Sequence, residues 1–187
     1  MNFIQDEMLT HVPMCVHPEP KKTLLFGCLE GVERELRKYK DIDIQKLSDT
    51  DVLSDLQAID EQSIDVVIIA SRLLSTDKVF WGLIKRALST KGVISALGVS
   101  LMKERAEAKE QLEAMGEYFR IVMPYAFLQQ ECAYAVFASN ALHPTADINL
   151  QRADLSEGFE YYNSDIAVAA FAMPNMIRKE FKGDIKS

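Results

Sequence analysis

Thr23-Leu24-Leu25-Phe26-Gly27-Cys28-Leu29-Glu30-Gly31-Val32-Glu33-Arg34-Glu35-Leu36 reads as a strand, a glycine turn and the opening of a helix. Lys22 to Phe26 is a short apolar run that Gly27 ends, and Gly31 to Tyr39 follows as a charged helix. Strand, glycine turn and helix in that order open a doubly wound sheet, whose ligands bind at the carboxyl ends of the strands.

The pattern continues outward from that unit. Asp43 to Leu47 reads as a second strand, and Asp49-Thr50-Asp51 as a cap leading into Val52 to Leu56. Asp65 to Ala70 is the clearest strand, because its β-branched run suits burial on both faces. Asp77 caps a helix through Leu83, Ile84, Ala87 and Leu88, closed by Gly92, and Val93 to Leu97 is the next strand. Ser100 caps a long helix with the apolar stripe Leu101, Ala108, Leu112 and Met115. Phe119 to Pro124 and Tyr134 to Ser139 read as a closing antiparallel pair. On the amino-terminal side, Asp6 to Val16 is a short helix stopped by Pro13, followed by a Pro-rich connector. Alternating β and α with a terminal hairpin predicts an α/β three-layer Rossmann-like sandwich of the S-adenosylmethionine-dependent methyltransferase type. Leu24, Leu25, Val67, Ile68, Ile94 and Phe137 are its expected centre, and Trp81 belongs to core or interface.

Composition narrows the function. In 187 residues the chain carries a formal charge of -7 and a hydrophobic content of 48%, which suits one domain. The acidic balance argues against nucleic acid and anionic membranes as partners. No apolar run is long enough to span a membrane, and the start lacks a signal-like pattern, so a cytoplasmic location is expected. Cys15, Cys28 and Cys132 are widely spaced and odd in number, which indicates neither a disulfide framework nor a zinc site. His11, Cys15 and His17 form a compact group without further ligands, in what reads as an ordinary loop, and no metal is expected.

Glu160-Tyr161-Tyr162-Asn163-Ser164-Asp165-Ile166-Ala167-Val168-Ala169-Ala170-Phe171-Ala172-Met173-Pro174 resembles the carboxyl-terminal signature of the spermidine synthases, with Ala167 in place of that signature's His. Four further segments resemble the family in the same order. They are Glu7 to Pro13, His17 to Lys22, Ile84 to Val93, and Val136 to Ser139. The resemblance implies a single aminopropyltransferase-like domain over 1–187, with a helix and connector at 1–21 and the Rossmann-like core at 22–187. It also implies transfer of an aminopropyl group from decarboxylated S-adenosylmethionine, a co-substrate rather than a resident cofactor, to putrescine. Polyamine and nucleoside ligands, and a homo-oligomer or an active paralogue as partner, follow from the same resemblance.

Such a reaction needs a carboxylate to take the amine's proton, others to seat the cations, and a glycine turn that admits the nucleoside. By resemblance, the turn is Gly27-Cys28-Leu29-Glu30-Gly31, and the position of the ribose-binding Glu is Leu47, with Asp49 after it. Gly27, Glu30, Gly31 and Asp49 are therefore the expected binding residues, with a helix cap as the other reading of Asp49. The family's base loop aligns with Ala70-Ser71-Arg72-Leu73-Leu74, where both carboxylates are absent. No catalytic residue is assigned. Asp6, Glu7 and Glu131 stand as substitute amine-seating carboxylates or as surface groups. From Asp55 to Ile64 the chain is too short for the family's third strand. Three readings remain open: a divergent spermidine synthase, a non-catalytic homologue that binds a nucleoside or polyamine or serves an active paralogue, or a structural dimerisation module.

Overall fold

The computed structural model describes residues 3–27, 30–48, 50–128 and 133–187. One sheet has the order β2 (Asp43–Lys46), β1 (Lys22–Phe26), β3 (Ile64–Ile69), β4 (Leu88–Leu97), β6 (Tyr134–Ser139), β5 (Ile121–Ala126). The strands from β2 across to β4 are parallel, and β6 runs antiparallel to both β4 and β5. Alternate side chains of each central strand feed two separate cores. On one face α3 (Val52–Ala58), α4 (Lys78–Ala87), α5 (Arg105–Gly116) and α8 (Asn175–Glu180) pack on Leu24, Val67 and Ile94. On the other, α1 (Phe3–Val16), α2 (Glu30–Leu36), α6 (Leu150–Leu155) and α7 (Ser164–Ala169) pack on Leu25, Ile68 and Phe137. All six expected central residues are fully buried, and each such side chain stabilises the fold by about 1.5–3 kcal/mol. The three-layer α/β sandwich is thus the observed architecture. Trp81 lies in the core, its Nε1 donating to the Ser75 carbonyl at 2.8 Å.

Several boundaries differ from expectation. α1 continues through Pro13 to Val16. A proline inside a helix costs about 3 kcal/mol, yet Leu9, Val12, Met14, Cys15 and Val16 are all buried. The Arg152 guanidinium also takes the carbonyls of Met14, His17 and Pro18 at 2.6–2.7 Å beyond the helix end. The next helix stops at Leu36, and Tyr39 N then closes a tighter turn onto Leu36 O at 3.0 Å. α4 ends at Ala87 rather than near Gly92, because the amides of Gln62 and Ser63 take the Arg86 and Ala87 carbonyls and Leu88 pairs with Ile64. Gly92 therefore lies inside β4. Ser100 caps only a turn, its Oγ accepting from Lys103 N at 3.2 Å, and α5 starts at Arg105. Among the described residues no strand intervenes between α3 and β3, which leaves β2 at the sheet's edge.

Candidate ligand site at the carboxyl edge of the sheet

β2 lies on one side of β1 and β3 on the other, so the strand order reverses between β1 and β3. Open α/β sheets bind ligands in the crevice at such a point, outside the carboxyl ends of the strands. Gly27 is there, with φ +103°. A side chain on it would meet the Ala70 carbonyl carbon at 2.9 Å and Ser71 Cβ at 3.1 Å, so both its backbone angle and its surroundings require glycine. Ala70 N donates to Phe26 O at 2.9 Å, which fixes the turn after β1 against the loop after β3.

That loop, Ala70 to Leu74, carries no carboxylate. Ser71 Oγ accepts from Leu73 N at 3.1 Å, Leu73 is exposed, and Leu74 adopts φ +67°. Arg72 Nη1 stands 3.4 Å from both carboxylate oxygens of Glu104, linking the loop to the segment that precedes α5. A cavity of about 340 Å³ opens beside it, lined by Leu73, Leu74 and residues 50–54.

Of the expected binding residues, Gly27 contacts Ala70 and Ser71, and Glu30 is an exposed first residue of α2. Gly31 is buried beneath Asp6; a Cβ at Gly31 would fall 1.9 Å from Asp6 Oδ2. Burial raises the Asp6 carboxyl pKa against the pull of Arg34, whose Nη2 is 3.9 Å away. Asp49 lies outside the described residues, as do Cys28, Glu131 and Cys132. Leu47, at the position of the ribose-binding Glu, is buried against Val52 and Leu56. Asp51 makes no side-chain cap to α3, while Asp55 accepts from Ser48 N at 2.8 Å.

Glu7 is neither an amine seat nor a surface group. It is buried, and its carboxylate accepts the backbone amides of Glu160, Tyr161 and Tyr162 at 2.8–2.9 Å, clamping the tail onto α1. His11 also turns inward. Its Nε2 donates to Glu35 at 3.0 Å, its Nδ1 accepts from the Tyr39 hydroxyl at 2.8 Å, and its ring stacks on Phe159 at 3.8 Å. Burial lowers the His11 pKa, opposed by Glu35. For Glu35, burial acts upward, but hydrogen bonds from His11 and Lys38 outweigh it and hold the pKa at about 2. Cys15 is buried, its thiol pushed up to about 11 by desolvation, and His17 leans toward Asp65 at 3.8 Å. These three lie in and just beyond α1 rather than in an ordinary loop. Among the described residues no group of His, Cys, Asp and Glu converges as a metal site. The sequence reading missed Asp65, which takes the amides of Lys21 and Lys22 at 3.0 and 3.1 Å, and Arg86, which takes three carbonyls closing α3. A lone charge within or beside an apolar run was their only signal.

Residues 2–68 match the spermine/spermidine synthase domain. The chain is 31% identical over 154 residues to a polyamine aminopropyltransferase of Helicobacter acinonychis, a match that covers 81% of this chain and 51% of that one. It is 26% identical over 217 residues to the enzyme of the same name from Helicobacter pylori, covering 98% of this chain and 79% of that one. By these matches the chain is similar to the spermine/spermidine synthases along most of its length. It spans about half the length of the first of these aminopropyltransferases. A spermidine synthase crystallised with the transition-state analogue AdoDATO superposes with a TM-score of 0.83 at 23% identity, over 95% of this chain and 75% of that one, and so shares the fold. Within this spermidine synthase fold, Glu7 and Arg86 of the resembling segments hold backbone together. The carboxyl edge has Ala70, Leu73 and Leu47 at the positions that the resemblance gives to acids.

Proposed function

We propose that residues 1–187 form a single aminopropyltransferase-like domain that works on the reactants of aminopropyl transfer at the carboxyl edge of its sheet, with attenuated turnover. The nucleoside of decarboxylated S-adenosylmethionine lies over Gly27 to Gly31, and putrescine lies beside the loop from Ala70 to Leu74. An amine lone pair attacks the methylene on the sulfonium, the carbon–sulfur bond breaks, and methylthioadenosine leaves. The putrescine ammonium must lose a proton first to free that lone pair. A cytoplasmic location and assembly with itself or with an active paralogue belong to the same reading.

The observation that carries the proposal is the contact between Gly27 and a loop after β3 that holds no carboxylate. The loop offers no base, and general-base catalysis contributes about 10²- to 10⁴-fold. Purified chain should therefore form spermidine at a rate at least about a hundredfold below a complete enzyme, and Ala70→Asp alone should restore little. Methylthioadenosine at a hundred times its Kd should stabilise the fold by about 2.7 kcal/mol. No stabilisation by methylthioadenosine or decarboxylated S-adenosylmethionine sinks the binding half of the proposal. Near-normal turnover, abolished by Glu30→Gln, sinks the other half.

A second reading is that the chain binds these ligands as a regulatory partner of an active paralogue. It is favoured by the roles of Glu7 and Arg86, which serve the fold and not the chemistry. Titrating the chain into an active aminopropyltransferase and finding its rate unchanged would count against it.

A further inference from the structure

We infer that the notch at the outer edge of β5 is a binding site for a small amphipathic carboxylate. The edge is closed on both sides of a single gap. Val122 exchanges two backbone hydrogen bonds with Lys186, at 2.8 and 2.9 Å, and Ala126 N donates to Ala170 O at 2.9 Å. Between them sits Pro124, which has no N–H to offer another strand, so the gap cannot be filled by strand addition. What remains is a cavity of about 340 Å³. Its walls include Phe171, Met173, Phe181 and Ile185, and its rim carries Arg178 and Lys182.

The two cations give the site its sign. Arg178 lies in the last turn of α8 and Lys182 just beyond the helix end. Neither has an ion-pair partner among the described residues, although the chain holds 28 acidic residues against 21 basic ones. Glu180, two residues from each, pairs instead with Arg105 at 3.7 Å. An apolar body would fill the notch, and a carboxylate at its mouth would take charge-assisted hydrogen bonds from the two cations. The volume lies at the low end of small-molecule sites, which run from about 300 to 1,000 Å³ and bury most of the ligand, so the occupant is a short aliphatic or aromatic acid.

Calorimetric titration of the full chain with octanoate, 1-octanol and acetate tests this. Octanoate should bind one saturable site, and 1-octanol and acetate should each bind at least about tenfold more weakly, a difference of 1.4 kcal/mol. Arg178→Gln with Lys182→Gln should weaken octanoate by a similar factor while leaving the melting temperature in place, since both side chains are exposed. Met173→Ser should weaken octanoate and 1-octanol together. Absence of saturable octanoate binding, equal binding of 1-octanol, or an unaffected double variant would each overturn the inference.

Discussion

Glu7 sets a single buried carboxylate against three backbone amides, and a hydrogen bond to a charged group contributes about 1.5–3 kcal/mol. Glu7→Ala should cost about 3 kcal/mol and strip hydrogen-exchange protection from residues 160–171, whereas Glu7→Gln should cost about half as much. A loss of under about 0.5 kcal/mol in the alanine variant would show that the clamp carries little. The sequence left Glu7 ambiguous because its partners lie more than 150 residues away, and a carboxylate beside Asp6 looks alike whether it meets solvent or amides. Burial holds the pKa of His11 and of His17 below the ordinary imidazole value, opposed by Glu35 and by Asp65 respectively. A lowered histidine favours the neutral ring in the fold, so the unfolded chain binds more protons below about pH 6.5 and stability falls there. Glu35, held at about 2, adds stability above its usual value of 4.5 that is lost as pH falls toward 2. The denaturant midpoint should accordingly decline in two limbs, and His11→Asn with His17→Asn should flatten the upper one. An upper limb of unchanged slope in that variant would refute the assignment.

Where elements meet, Arg86 of α4 is the hinge pin of α3. Its Nη2 lies 2.8–3.0 Å from the carbonyls of Leu56, Gln57 and Ile59 at a helix end, where Leu56 O also accepts from Ile59 N at 3.3 Å. Arg86→Ala should cost about 2 kcal/mol, and Arg86→Lys should recover only part, because the lysine ammonium sits one bond nearer the backbone than Nη2. Full recovery by lysine, measured by urea unfolding, would reduce the contact to simple charge. Strand positions were legible because β-branched and apolar runs have few other homes, as in Ile64 to Ile69. Helix ends were less so. Ser100 carries a cap-forming side chain, yet its hydroxyl serves a turn and the helix waits for Arg105. Pro13 was read as a stop because the reading weighed one lost hydrogen bond without the buried stripe on either side of it.

On the scale of the whole molecule, the shortened stretch before β3 leaves β2 as a bare edge of four residues. Its guards are charges: Asp43 and Lys46 are exposed, and Lys46 pairs with Glu33 at 2.5 Å. Charged residues on a short edge strand block pairing with other chains. Asp43→Val with Lys46→Val should raise light scattering at constant concentration while leaving the circular dichroism of the soluble fraction unchanged. Equal scattering from both proteins would mean that other features protect this edge. The layered architecture could be read from alternation alone. That the loop from Ala70 to Leu74 holds no carboxylate was equally plain, since it is visible without coordinates. The inward roles of His11 and Glu35 were not, because a turn of α1 decides which side of the helix faces the core. That first helix also imposes an order on synthesis. Met8, Met14 and Glu7 are held by Tyr125, Arg152 and residues 160–162, with separations of 117, 138 and 153–155 residues. During synthesis α1 meets Glu35 and Tyr39 early, and these distant partners only late. The part of α1 that Tyr125, Arg152 and residues 160–162 hold therefore stays open until they are made, a stretch on which chaperones and proteases would act.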